Sequence, residues 1–250
     1  LLRPPRSTPK PSSAASDVYK RQITIYWNIF SMKKFLLALM LIASPVGAEE
    51  NITKGFYSMD AMGCMIVREC TKDVKRIKSI QDIKDHYPSS NFSSIDSEFD
   101  DIIASFDRVG VGVFLGNERY FPPGHRGVYH TVSNNFFLNE SFMHRQSTLM
   151  AVTRHEGWHA AQDCMAGTID NSLIAIIHNE EDVPRVWQAI AKDTYKMTPD
   201  AIPWEKEAFW AGHTKGMTAK ALEACAAGKM WEVYKPTPMT EEWLRENGVM

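Results

Sequence analysis

His155-Glu156-Gly157-Trp158-His159 lies inside a segment whose residues favour a helix. Because the two histidines are four residues apart, a helix places both imidazoles on one face, where they can bind one metal ion. The glutamate after the first histidine then points toward the open coordination position of that ion, where it can take a proton from water. We therefore predict that His155 and His159 bind zinc and that Glu156 acts as a general base.

The helix that carries this pentapeptide should be long and mostly buried. Residues 142–165 contain no proline and a single glycine. Ser141 and Asn139 are both suited to cap its start. Its apolar residues are those expected of a buried helix: Phe142, Leu149, Met150, Val152, Ala160 and Ala161.

A third metal ligand must come from another part of the chain, because a catalytic zinc normally has three protein ligands and a water. The longer pattern H-E-x-x-H-x-x-G-x-x-H would supply it from the same segment. That pattern requires glycine at position 162 and histidine at position 165, where this chain has Gln162 and Met165. The subfamily with the longer pattern is therefore excluded.

The best candidate for this ligand lies in residues 203–211, where Pro203 suits the first turn of a helix and the following glutamates suit its dipole. Here the chain resembles the gluzincins, the HExxH zinc metallopeptidases whose third ligand is a glutamate on a second helix. Several of them place that glutamate three residues before a small residue, and Glu205 stands three residues before Ala208. The resemblance implies Glu205 as the third ligand, with Glu207 as the fallback.

A rival third ligand is Asp170. Residues 167–170 resemble the G-T-x-D pattern of the aspzincins, at a similar distance after the second histidine. The Tyr-Gly pair that follows in that family is replaced here by Asn171 and Ser172, so Asp170 is the weaker candidate.

The resemblance to zinc peptidases covers the two segments with the candidate ligands. It implies a zincin-like fold, Zn²⁺ as the cofactor and a peptide or protein as the substrate. Glu156 would take a proton from the zinc-activated water and later pass a proton to the leaving amine. His178, Tyr195 and His213 are candidate donors to the developing oxyanion. In the resembling peptidases a sheet edge near the metal helix pairs with the substrate backbone; either predicted strand before that helix could do so here.

Two other functions are compatible with these residues. One is an exported binding or structural protein that keeps a zinc for stability, without turnover. The other is a zinc amidase that acts on cell-wall material. A purely structural zinc usually has four protein ligands and needs no base, so the glutamate of the pentapeptide favours an enzyme.

The first 48 residues are not expected to belong to the folded domain. Residues 12–22 resemble a translated transposase adapter, so we interpret residues 1–31 as non-native sequence and Met32 as the natural start. Residues 32–48 have the basic start, short apolar core and small-residue cleavage site of a bacterial secretory signal peptide. That core is too short to span a bilayer, which predicts a periplasmic or secreted protein without a membrane anchor.

Charge limits the partners of the mature chain, residues 49–250. Residues 1–48 contain seven of the 28 basic and one of the 30 acidic residues. The mature chain then has 21 basic and 29 acidic residues, a formal charge of −8. Because no basic stripe remains, nucleic acid and anionic membranes are not expected as partners.

All four cysteines lie in the mature part: Cys64, Cys70, Cys164 and Cys225. An even number in an exported protein predicts disulfides, with three possible connectivities. A bridge between Cys164 and Cys225 would brace the metal site. Cys64 and Cys70 could then pair only if the chain turns between them, because in an extended strand they would lie roughly 20 Å apart.

The remaining pattern predicts an α+β fold, with a single helix-dominated domain over residues 49–250 and a small sheet before the metal helix. Alternating apolar residues predict strands, and apolar residues at helical spacing predict helices. The predicted strands are residues 65–69, 74–78, 109–115 and 127–132. The other predicted helices are residues 79–86, 95–106, 184–195, 203–212, 218–227 and 240–247.

Overall fold

Four short strands precede the long helix in the chain and form one sheet. The computed structural model describes residues 59–167, 173–237 and 239–247. The predicted non-native segment 1–31 and signal peptide 32–48 lie outside these residues. All described residues fall in one compact unit, and their fold is α+β and mostly helical, as predicted.

The described elements are numbered here in chain order. The helices are α1 (Met59–Ile66), α2 (Ile80–His86), α3 (Asp96–Arg108), α4 (Gln146–Met165), α5 (Arg185–Thr194), α6 (Ile202–Gly212), α7 (Met217–Ala226), α8 (Met230–Val233) and α9 (Glu241–Glu246). The strands are β1 (Val74–Arg76), β2 (Gly112–Gly116), β3 (Gly127–His130) and β4 (Asn135–Asn139). None of these described helices has the length and apolar character that a membrane span requires.

The strand order in the sheet is β1-β2-β4-β3. Strands β2 and β4 are parallel, whereas β1 pairs with β2 and β3 pairs with β4 in antiparallel fashion. Strand β3 is therefore at an edge of the sheet, and it is the edge that contacts α4.

The two faces of the sheet pack against different helices, because successive residues of a strand point to opposite faces. Phe114, Phe137 and Val128 are register partners on one face, where they join a buried cluster with Met65 and Ala61 of α1. This cluster anchors α1 to the side of the sheet that faces away from α4.

The other face of the sheet carries Phe136 and Tyr129, which are also register partners. The Phe136 ring lies 5.7 Å from that of Phe106 in α3, measured between centroids. The Tyr129 hydroxyl reaches Asp163 of α4. Helices α3 and α4 therefore cover this face.

Helix α4 lies at the centre of the helical layer, in contact with the sheet and with α3, α6 and α7. Gly212 of α6 allows a close approach: a Cβ at this position would lie 3.0 Å from the Ala151 carbonyl and 3.3 Å from the Cβ of His155. The contact between α4 and α6 brings Glu205 beside the two histidines.

The predicted strand over residues 65–69 is wrong. Met65 and Ile66 end helix α1, and both neighbours are buried in the same cluster, which an alternating strand would not allow. The chain then turns at Arg68, whose φ of 62° is left-handed. This turn brings Cys70 back to Cys64.

Strand β4 was not predicted, because residues 134–139 were expected only to lead to the metal helix. Phe136, Phe137 and Leu138 are all buried, so this strand lacks the alternation that identifies a strand with one exposed face. Strand β4 lies between β2 and β3 in the sheet, and both of its faces are packed.

The start of α4 also differs from the prediction. The helix begins at Gln146 rather than near residue 142, and its N-cap is Arg145 without a side-chain hydrogen bond. Asn139, one predicted cap, instead accepts from the Ser141 N–H and donates to the His125 carbonyl. It stabilises the turn after β4 rather than the helix.

Two disulfides are present, as predicted, and they adopt one of the three connectivities that the sequence left open. Cys64 is bonded to Cys70 and Cys164 to Cys225, with Cα–Cα distances of 5.2 and 6.0 Å. The required turn between Cys64 and Cys70 is present, and the second bridge ties the end of α4 to α7. Such bridges are typical of proteins in oxidising compartments.

Candidate metal centre

Three side chains from two helices meet at one point. His155 and His159 come from α4 and Glu205 from α6, and their ligand-type atoms all lie within 4.8 Å of one another. Nε2 of His155 is 3.3 Å from Oε2 of Glu205, and Nε2 of His159 is 3.6 Å from its Oε1. This group could hold one metal ion, and it contains all three residues predicted as ligands.

The chemistry of the group fits a divalent cation. Oε2 of Glu205 is buried and makes no well-aligned hydrogen bond. Burial raises the pKa of Glu205, but the two imidazoles and the Tyr195 hydroxyl lower it to about 2. Burial lowers the pKa of His155, but Glu205 and Glu156 bring it above its usual value. These pKa shifts favour a positive charge at the centre. Its two imidazole nitrogens and one carboxylate are ligands that suit a transition metal.

A partner on its far side orients the His159 ring. Nδ1 of His159 is 2.9 Å from Oε1 of Gln162. The amide nitrogen of Gln162 donates to Glu207 at 2.9 Å and to the Trp204 carbonyl at 3.2 Å. The amide oxygen therefore faces His159 and accepts the proton on Nδ1. The lone pair of Nε2 is then free for a metal.

Glu207, the fallback ligand, lies behind the centre rather than in it. It is fully buried and stands two residues after Glu205, so it faces another side of α6. Burial raises its pKa to about 7, even though its N–H donors favour the charged form. Those donors are Trp158 Nε1 at 3.1 Å, Gln162 Nε2 at 2.9 Å, Ile177 N at 3.1 Å and His178 N at 2.8 Å.

Glu156 extends from α4 toward the sheet. Its Oε2 accepts the main-chain N–H of Tyr129 on β3 at 2.9 Å. The close approach of β3 requires glycine at position 127, where a Cβ would lie 2.6 Å from Cγ1 of Val152 and 3.3 Å from Cγ of Glu156. Glu156, the predicted base, is thus held between helix α4 and the edge strand β3.

Of the three candidate oxyanion donors, Tyr195 lies at the centre. Burial and the neighbouring Glu205 raise the pKa of its hydroxyl, and Glu156 adds to the shift. His213 instead is exposed and stacks on Trp187, with ring centroids 4.5 Å apart. His178 is enclosed by three aromatic rings, those of Trp158, Trp210 and Tyr234.

Two residues that orient the site were not identified from the sequence. Gln162 follows His159 by three residues, so helical spacing could have indicated their contact. Tyr129 lies in a strand far from Glu156 along the chain, and no local pattern signals that contact. The rival ligand Asp170 lies in residues 168–172, outside the described part of the chain.

No known family model, curated protein or solved structure matches this chain. The case for a function therefore rests on the geometry of the centre and on the chemistry of its residues.

Proposed function

We propose that this protein is an exported, gluzincin-like zinc peptidase with a zincin-like fold. The observation that carries the proposal is the convergence of His155, His159 and Glu205, with Glu156 beside them on the metal helix. Zinc, when bound, supplies Lewis acidity that acidifies a water molecule and polarises the substrate carbonyl.

Each residue of the site has a distinct task in the proposed reaction. His155, His159 and Glu205 hold the ion. Glu156 accepts a proton from water as the water oxygen attacks the carbonyl carbon of the peptide. When the C–N bond breaks, the same carboxyl group passes a proton to the leaving nitrogen. The Tyr195 hydroxyl donates a hydrogen bond to the oxygen on which negative charge develops.

Strand β3 is the proposed binding edge for an extended substrate. Strand β2 is paired on both sides, by β1 and β4, whereas among the described strands β3 pairs with β4 alone. An added peptide strand needs free main-chain groups along such an edge. The Tyr129 N–H already bonds Glu156, so the peptide would pair with other main-chain groups of β3. The contact of β3 with Glu156 places that edge next to the proposed base.

The group of three ligands supports catalysis over a structural role. Among the described residues the group has three members, whereas a structural zinc usually has four protein ligands. The side chains of His155, His159 and Glu205 are also 13–16% exposed, so solvent and substrate can reach them.

The proposal is tested by metal analysis together with hydrolysis of a mixed peptide library, with and without a chelator. Because only the base is removed, Glu156→Gln should keep its zinc but lose turnover by roughly 100-fold or more. Glu181→Gln changes an exposed glutamate in the same way and should retain both.

Full turnover in Glu156→Gln would remove this residue from the reaction. A zinc-loaded protein that cleaves no peptide would contradict the peptidase assignment. Cleavage confined to amides of cell-wall fragments would favour the amidase instead.

A further inference from the structure

Tyr129 contacts helix α4 at two points. Its main-chain N–H donates to Oε2 of Glu156 at 2.9 Å, and its hydroxyl donates to Oδ2 of Asp163 at 2.8 Å. Glu156 and Asp163 are seven residues apart, close to two helical turns, so they lie on the same face of α4. One tyrosine thus bridges the strand to the helix with both its backbone and its side chain.

The hydroxyl contact is well suited to act as an anchor. Asp163 is fully buried and Tyr129 is only 9% exposed. Burial and the Asp163 charge raise the pKa of the Tyr129 hydroxyl, so it stays protonated and remains a donor. A hydrogen bond to a charged acceptor in such surroundings is stronger than one between neutral groups.

The main-chain contact depends on this anchor. Within the described part of the chain, strand β3 has a sheet partner on one side, and its outer edge is held to α4 by side chains and by the bond to Glu156. Edge strands without further contacts are more mobile than central ones. Loss of the hydroxyl anchor would let the Tyr129 N–H move away from the carboxylate.

We propose that Tyr129 is the positioning residue for Glu156: its hydroxyl, bound to Asp163, holds its main-chain N–H against Oε2 of Glu156. That bond fixes the rotation of the carboxylate and leaves Oε1 to accept the proton from water. The catalytic consequence rests on the proposed peptidase function, whereas the anchoring itself does not.

The anchoring is tested by amide hydrogen exchange of residue 129 in the full chain, measured by NMR in the presence of a chelator. The N–H at position 129 should exchange slowly in the wild type. It should exchange at least roughly tenfold faster in Tyr129→Phe and in Glu156→Ala, because each variant removes one of the two bonds.

The catalytic consequence is tested by kinetics of the zinc-loaded protein. Tyr129→Phe should lower kcat roughly 10- to 100-fold, because a base displaced by about 1 Å loses that much rate. KM and zinc content should stay unchanged, a pattern that a general loss of structure would not produce.

Tyr120→Phe is the matched control. Tyr120 is also buried, and its hydroxyl donates to the Lys72 carbonyl at 2.8 Å, on the side of the sheet that packs on α1. This variant should change neither the exchange of the Tyr129 N–H nor kcat.

Wild-type exchange at position 129 in either Tyr129→Phe or Glu156→Ala would overturn the inference. So would an unchanged kcat in an active Tyr129→Phe. If the wild type hydrolyses nothing, the proposed function fails, and the exchange comparison still decides whether Tyr129 positions Glu156.

Discussion

At the scale of single residues, the imidazole of His159 is oriented by a partner behind it. His159 donates to Gln162, which is held in turn by Glu207. The main chain of Ala208 helps to raise the pKa of His155. A partner such as Gln162 fixes the ring and its tautomer, so the nitrogen that faces the centre is ready to bind a metal.

Replacement of Gln162 by methionine should therefore weaken metal binding without removing a ligand. The side chain keeps a similar volume but cannot accept the proton on Nδ1 of His159. We expect zinc affinity to fall roughly 10- to 100-fold, measured by competition with a chromophoric chelator.

Loss of the proposed ligand Glu205 should weaken zinc binding more than loss of Gln162, which supports the His159 ring. Glu205→Ala removes a ligand and should cost more zinc affinity than Gln162→Met in the same assay. The reverse order, or undiminished affinity in Glu205→Ala, would contradict the assignment of the centre.

Glu98 makes the stability of the molecule dependent on pH. Its carboxylate accepts from Nε and NH2 of Arg154 at 2.8 and 2.6 Å and from the Gly216 N–H at 3.0 Å. Burial raises the pKa of Glu98, but Arg154 and Gly216 lower it below the usual 4.5. The stabilisation is therefore complete above that value and is lost as the pH falls through the lower pKa of the folded state.

The variant Glu98→Gln should lower the free energy of unfolding by about 2 kcal/mol at neutral pH. Below the usual carboxyl pKa the difference from the wild type should shrink, because protonation removes the same charge from the wild type. Urea unfolding at several pH values measures both effects. Glu241→Gln, in an exposed pair with Arg245, should cost less than about 0.5 kcal/mol. If Glu98→Gln destabilised the protein as much at acid pH as at neutral pH, this account of Glu98 would be contradicted.

At the scale of elements, the distance between β3 and α4 depends on Gly127. An alanine there would place its Cβ 2.6 Å from the stiff, buried Val152 and 3.3 Å from the Phe137 carbonyl, so β3 must move. We expect Gly127→Ala to cost about 1–3 kcal/mol of unfolding free energy, measured by thermal or chemical unfolding. It should also disturb the contact with Glu156.

Gly63 provides the matched control for this substitution. It lies in α1, where no atom of the described residues comes within 4 Å of the position that a Cβ would take. Alanine there should stabilise the protein by about 0.5–1 kcal/mol, since alanine favours a helix over glycine. Equal effects at the two positions would show that crowding at position 127 is unimportant.

The elements differ in how well local pattern predicts them. The predicted helix over residues 79–86 is present as α2, and a capping box of Ser79 and Asp82 begins it. Alternation of apolar residues predicts a strand over residues 65–69, but Met65 and Ile66 belong to a helix and both are buried in the same cluster. Strand β4 was missed because burial on both faces removes alternation.

At the scale of the whole molecule, the two disulfides should differ in their effect on stability. The Cys164–Cys225 bridge joins residues 61 positions apart, whereas Cys64–Cys70 joins residues six apart. A longer closed loop removes more entropy from the unfolded chain. We expect the double serine variants to lose about 4 and about 2 kcal/mol respectively.

Chemical unfolding of the two variants measures this difference. The larger loop also contains Glu205, so the Cys164, Cys225 double variant should bind zinc more weakly as well. A larger loss of stability from the Cys64, Cys70 pair would contradict the ranking by loop length.

The residues alone indicated the two histidines and the glutamate between them, because helical spacing and a local motif are properties of neighbouring residues. Glu205 was implied by the resemblance to the gluzincins, with Glu207 and Asp170 as alternatives, and its place beside the histidines depends on the packing of α6 against α4. The residues also indicated disulfides and the α+β class, whereas the pairing of the cysteines came from the structure. The contact of Tyr129 with Glu156 and the placement of Glu207 behind the centre required the packed chain. Those contacts join residues far apart in sequence, and their geometry depends on how closely β3 and α6 approach α4, which no local pattern encodes.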